Sequence, residues 1–184
     1  MKPVLIAAPA ETPVSLAEVK EAVRVDFSDD DASLQAYLAA AVAHLDGYSG
    51  ILGRCLVTQT WRQGFRGWSP RLRLPFPDVD AESVVVTYLD AGAVDQTVAP
   101  AHYQVVEGHL GAEVVFKDIF SAPILGDDRE ARVRVDFQAG YGAAEDVPAD
   151  IRLVIKALTR HWYDGEAGEP SQMRLIEKYR CRPL

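Results

Sequence analysis

The chain has 184 residues, 48% of them apolar and 25% charged, enough for one or two ordinary hydrophobic cores and unlike the composition of a disordered polymer. A formal charge of −8 argues against a broad phosphate-gripping surface, because nucleic-acid affinity comes mainly from Lys and Arg replacing counterions. Cys55 and Cys181 are too few for a disulfide framework and read as reduced thiols, and the oily start MKPVLIAAPAETP is broken by prolines and far short of the roughly 20 residues that cross a bilayer, so a soluble, unexported chain is expected.

In PVSLAEVKEAVRVD, Ser15 followed by Glu18 forms a capping box, and Val14 with Val19 forms a hydrophobic staple, so a short helix starts at Leu16. Asp29, Asp30 and Asp31 then stand where acidic groups satisfy the free amides at a second helix's start. Leu34, Tyr37, Leu38, Ala41, Val42, Leu45 and Tyr48 recur at helical spacing up to a stop at Gly50 or Gly53.

From Leu56 the period changes to two. LVTQTWRQGF puts Val57, Trp61 and Phe65 on the side of Gln59 and Gln63, RLRL alternates, and ESVVVTYLD is β-branched before the turn at Ala91 and Gly92. HYQVVEGHLGAEVVF reads as two strands around Glu107 and Gly108, the stretch from Phe120 to Glu130 as an irregular loop, and RVRVDFQAGYG as a last strand. PADIRLVIKALTRHWYDGE returns to helix, with Pro148 at its first position, Gly165 past its end, and Ile151, Val154, Ile155, Leu158 and Trp162 in one stripe. Arg152, Lys156 and Arg160 make a basic line on another face. The fold class expected is α+β: helices from both ends of the chain form a small bundle, residues 1–56 with 143–165, and an antiparallel β-rich domain, 57–142, is inserted between them.

The search for chemistry returns little. His44, His102, His109 and His161 are scattered without metal-ligand spacing, and the three aspartates lack the alternation of a calcium loop. No GxSxG, no GxGxxG and no phosphate-binding loop occur, so neither a catalytic residue nor a cofactor or metal site is nominated. Trp61 reads as core, Trp162 as packed against the first two helices, and Trp68, in the loop RGWSP, as a possible exposed contact.

The tail, residues 166–184, stands apart. From Ser171 onward Arg174, Lys178, Arg180 and Arg182 face only Glu177, so this end carries +3 and the rest of the chain −11. With Met173, Ile176 and Tyr179 among its cations, it reads either as an idle disordered end or as a peptide that folds onto another protein; the second reading is adopted. The expected partner-binding residues are therefore Arg152, Lys156 and Arg160 on the last helix and Met173, Arg174, Ile176, Lys178, Tyr179, Arg180 and Arg182 on the tail.

PVSLAEVKEAVRVDFSDDDASLQAYLAAAVAHLDGYSG, then LVTQTWRQGF, VVVTYLDAGAVDQTV and VRVDFQAGYGAAEDVPADIRLVIKALTRHWYD appear in an order that resembles the head-to-tail connector (adaptor) proteins of tailed phages and phage-like gene transfer agents. The resemblance covers most of Pro13 to Asp164. It implies a non-enzymatic part of the particle neck, assembled in the bacterial cytoplasm: a homo-oligomeric ring, typically of twelve copies, below the portal protein. Such a ring extends the DNA channel, lets DNA pass without specific binding, and offers a platform to the next tail or stopper protein; no membrane is involved. The alternative is a small soluble enzyme or ligand-binding module using the β-rich domain, and a further rival is a monomeric tail-completion factor.

Overall fold

A computed structural model describes residues 1–108, 111–127 and 129–181, which leaves the expectations about His109 and Arg182 outside the described residues. The chain divides into two units: a helical one from residues 10–57 and 141–181, and a β one from residues 1–9 and 58–140.

The helical unit begins with α1, Leu16–Val23. The Ser15 hydroxyl accepts from the Glu18 amide at 3.3 Å, and Glu18 Oε2 accepts from the Ser15 amide at 3.0 Å, so two orphan donors of the first turn are satisfied reciprocally. Val14 and Val19, the two halves of the staple, are fully buried. Helix α2, Asp31–Leu45, turns Leu34, Leu38, Ala41 and Leu45 inward. Its start departs from expectation, since Asp30 occupies the cap position without a capping bond. The acids are used elsewhere: Asp31 takes the Lys20 ammonium at 2.6 Å, and Asp30 accepts from the Tyr163 hydroxyl at 2.6 Å. The helix also ends before Gly50 and Gly53. Asp46 Oδ1 accepts from the Leu56 amide at 2.7 Å, and Gly47, at φ 72°, turns the chain so that its amide reaches Arg54 O at 2.8 Å. Tyr48 is left exposed instead of extending the apolar stripe.

Helix α3, Ala149–Tyr163, begins one residue after the expected Pro148 and supplies Ile151, Val154, Ile155 and Leu158 to the same core. Trp162 packs half-buried at the core margin, edge-on to His44 with ring centroids 6.3 Å apart. The tail then forms a 3₁₀ helix, Ser171–Tyr179, whose Met173 and Ile176 are buried in that core.

The β unit holds two antiparallel sheets. The five-stranded sheet has the order β1 (Val4–Ala7), β2 (Gln59–Phe65), β8 (Val133–Ala139), β4 (Val85–Leu89) and β5 (Asp95–Thr97). The three-stranded sheet has the order β3 (Arg71–Arg73), β7 (Gly111–Phe116) and β6 (Tyr103–Gly108). In β2 the period-two pattern is realised: Gln59, Trp61 and Gln63 are buried while Thr60, Arg62 and Gly64 are not. Trp61 stands opposite Phe137 in register and packs on Phe76 at 5.0 Å, and the buried amides find partners, Gln59 accepting from Trp61 Nε1 at 3.1 Å and Gln63 donating to Met1 O at 2.7 Å. On the outer face Arg62 meets Asp136 directly across the ladder through two bonds of 2.6 Å. Gly111, at φ 125°, is required where β7 starts, because a Cβ there would lie 2.8 Å from Leu74 O. Residues 4–7, given no element by the sequence pattern, belong to this unit as an edge strand.

Candidate docking surfaces

The cationic line on α3 results from helical spacing, but most of its charge is engaged. Arg152 Nη2 lies 2.8 Å from Glu18 Oε1, and Arg160 Nε lies 3.3 Å from Asp164 Oδ2. Glu18 is thereby held below the usual carboxylate range, first by the Ser15 amide, then by the Ser15 hydroxyl and Arg152, against the opposing effect of burial. Lys156 and Arg160 border a groove of about 440 Å³ with Ala22, Leu153, His161 and Pro170.

The tail is not a free peptide. Gly165 and Gly168, at φ 69° and 89°, turn the linker GEAGEP back along α3, and His161 straps it there: Nδ1 is 2.8 Å from Glu166 Oε2 and Nε2 is 3.0 Å from Gly168 O. Beyond it Met173, Ile176 and Tyr179 follow at intervals of three, the period of a 3₁₀ helix, which stacks them on one edge. Met173 and Ile176, expected on a docking peptide, are core residues of their own unit, because two apolar side chains on a short segment lower the free energy most by filling the nearest core. Tyr179 is half-buried against the same core, its hydroxyl 3.4 Å from Asp150 Oδ2, and Lys178 Nζ sits 2.7 Å from that carboxylate. The Cys181 amide donates to Leu52 O at 2.7 Å and closes the tail onto the loop after α2. Cys55 and Cys181 are both free thiols and both buried. The spacing of three was the available signal in the sequence; a reading attuned to charge passes over it.

The tail offers Arg174, Leu175, Glu177, Lys178 and Arg180 to solvent, together with Ser171 and Gln172, and Arg174 and Arg180 border a second groove beside Glu169, Pro170 and Glu177. The outer face of α2 differs in kind: Ala36, Tyr37, Ala39, Ala40 and Ala43 are exposed, and no Asp, Glu, Lys or Arg occurs from Ala32 to Leu45.

In the β unit Trp68 is more enclosed than its loop position suggests. Its ring packs on Tyr88, Phe116 and Phe120 at 5.1–5.5 Å between centroids, and its Nε1 donates to Pro123 O at 2.9 Å. Only one side remains open, onto a groove of about 350 Å³ lined also by Pro70, Lys117 and Phe120. The neighbouring loop carries Ile119 and Ile124, 68% and 81% exposed. No cluster of three or more His, Cys, Asp or Glu able to hold a metal occurs among the described residues.

Residues 13–75, from the staple ahead of α1 to the end of β3, match the family model of the phage gp6-like head-tail connector protein. Solved structures extend the likeness to the whole chain. A chain in the neck of an empty gene transfer agent particle, computed with C6 symmetry, superposes with a TM-score of 0.80 at 23% identity, covering 100% of this chain and 97% of that one. A chain in the virion of a native gene transfer agent particle gives 0.80 at 26% identity with the same coverage.

About a third of the chain thus carries the pattern of a phage head-tail connector, and the whole of it shares the fold of chains from gene transfer agent particles.

A third neighbour, in the neck of a native gene transfer agent particle computed with C12 symmetry, gives 0.75 at 25% identity, again over 100% and 97% of the two chains. No curated protein sequence matches the chain. Since the structural likeness spans both units and the tail, the inserted β unit is part of the shared architecture and not an addition to it.

Proposed function

We propose that this chain is a head-to-tail connector that forms a homo-oligomeric ring in the neck of a tailed phage or gene transfer agent particle, docked against the portal protein on one side and against the next tail or stopper protein on the other. The observation that carries the reading is the full-length likeness to neck and virion chains, in necks computed with six-fold and twelve-fold symmetry. Twelve copies is the proposed number. A ring closed by rotation needs two unlike surfaces on every copy, and the uncharged outer face of α2 supports one such contact, since alanines let a neighbouring helix approach closely.

The portal-facing contact is assigned to the cations that keep solvent exposure or line a groove: Lys156 and Arg160 beside the α3 groove, and Arg174 and Arg180 on the tail. Arg152 and Lys178 act indirectly, by holding α1 and the tail in place through Glu18 and Asp150. Trp68 contributes through the open side of its groove. DNA passes through the ring without being retained, which fits a subunit of net charge −8. The protein does its work by shape and contact, with no reaction of its own.

Particles made without the protein test the reading. Filled or empty heads and separate tails are expected under the electron microscope. Normally joined particles would reject the assignment.

A further inference from the structure

Among the described residues the β unit has four sheet edges, and they are not alike. β3 is three residues long and flanks Leu72 with the exposed Arg71 and Arg73, both paired to Glu113. β5 is also three residues and begins with Asp95, which holds Arg134 at 2.6 Å and Arg129 at 3.3 Å. β6 carries Gln104 and Glu107, and Glu107 accepts from the Val79 amide at 3.1 Å. Charges and short strands of this kind are what keep sheet edges from joining other chains. β1 has no such guard: Val4, Leu5 and Ile6 are 57%, 43% and 49% exposed, and nothing charged occurs from Pro3 to Ala10. Period-two alternation should bury one face of a strand, yet all four residues of β1 are exposed, although Leu5 stands opposite the buried Trp61. The register shifts between Leu5 and Ala7, which stand opposite the consecutive residues Trp61 and Thr60, so Ile6 is the extra residue with no partner across the ladder.

We propose that β1 is a subunit contact: its free edge and its Val4, Leu5 and Ile6 side chains pack against an extended segment of a neighbouring copy of this chain. The inference rests on the ring reading above. Charge decides the occupant. Each copy carries −8, so neighbouring copies repel, and they approach at least electrostatic cost through surface that has no charge. The uncharged stretch around β1 meets that condition, and its apolar side chains and open backbone groups supply what draws a strand to an edge, burial together with main-chain hydrogen bonds.

Ile6→Lys and the gentler Ile6→Thr, which keeps β-branching, test the proposal. The Ile6 side chain is solvent-exposed in the single copy, so each variant should melt with the wild type and keep its Trp61 near-UV signal. Ring assembly, read by native mass and by neck occupancy when the variant is supplied to particles lacking the protein, should fall about tenfold or more for Ile6→Lys and less for Ile6→Thr. Rings from Ile6→Lys at the wild-type level would overturn the proposal. So would normal rings that fail only to accept a tail or a portal, since β1 would then face a different protein. A strain without the protein that still joins heads to tails removes the connector reading itself, an outcome separate from either of these.

Discussion

The two units solve the same packing problem with opposite use of the chain. The helical unit is closed by segments from both ends of the sequence, and its core is uniformly apolar: Val14 and Leu34 near one end, Ile151 and Leu158 near the other, and Met173 and Ile176 from the tail. The β unit comes mostly from one continuous stretch, and its interior mixes aromatics such as Trp61, Phe76 and Phe137 with buried amides that must be hydrogen-bonded in place. A core assembled from chain ends depends on a late, local piece of sequence. A core assembled from ladders depends on register. The helical unit should therefore be most sensitive at its tail, and the β unit at its cross-strand aromatics.

The largest expected effect breaks that comparison directly. Removing the chain from Ser171 onward takes two buried side chains out of the helical core, so the loss should exceed the roughly 2–5 kcal/mol expected for Ile176→Ala alone. Denaturant titration gives the magnitude, and hydrogen exchange gives the location: faster exchange in α1, α2 and α3, little change in β2 and β8. An unaltered midpoint would show that the tail is dispensable for folding. The counterpart in the β unit is Phe137→Ala, at about 3–5 kcal/mol, with the exchange pattern reversed.

How much of this was readable in advance follows from whether a residue's partner lies nearby in sequence. Ser15 and Glu18 are three residues apart, and the α3 stripe lies on one continuous helix, so those features follow from spacing alone. β2 and β8 alternate clearly because each is buried on one face. β1 gave no signal because a strand exposed on both sides has no alternation to read. The tail misled for a different reason. Its charge invited a search for an outside partner, while Asp150 and the core below it, some thirty residues back along the chain, already supplied one. Likewise the acidic triplet before α2 looked like a cap, but Lys20 and Tyr163 compete for those carboxylates and win through charge and proximity. Among the expected docking residues, Lys156, Arg160, Arg174 and Arg180 still border a groove, although Arg160 is also paired to Asp164.

A smaller effect sharpens the local side of the contrast. Ser15→Ala removes one half of the capping box and should cost about 1 kcal/mol, confined to the helical unit. Thr at the same position should restore most of it. A loss near 3 kcal/mol would mean that Ser15 supports more than the first turn of α1.

The smallest effect is electrostatic and concerns the tail clamp. The Lys178 ammonium, by hydrogen bond and charge, holds the Asp150 carboxyl below its ordinary value, and Asp150 raises Lys178 in return. A lowered carboxylate contributes stability that is fully present above its unfolded value, about 3.9, and is lost as pH falls through the lower folded value. A raised ammonium contributes stability that is fully present below its unfolded value, about 10.4, and is lost as pH rises through the higher folded value. Between those limits the clamp is constant, so proteolytic release of the tail should be flat from about pH 5 to 9 and should increase on the acid side as Asp150 is protonated. The pair is exposed, so salt should weaken it as well. Lys178→Met removes the charge but keeps the stem: it should raise tail cleavage slightly at neutral pH and reduce the acid-side increase. If the variant kept the full increase on acidification, the pH response would belong to a group outside this clamp.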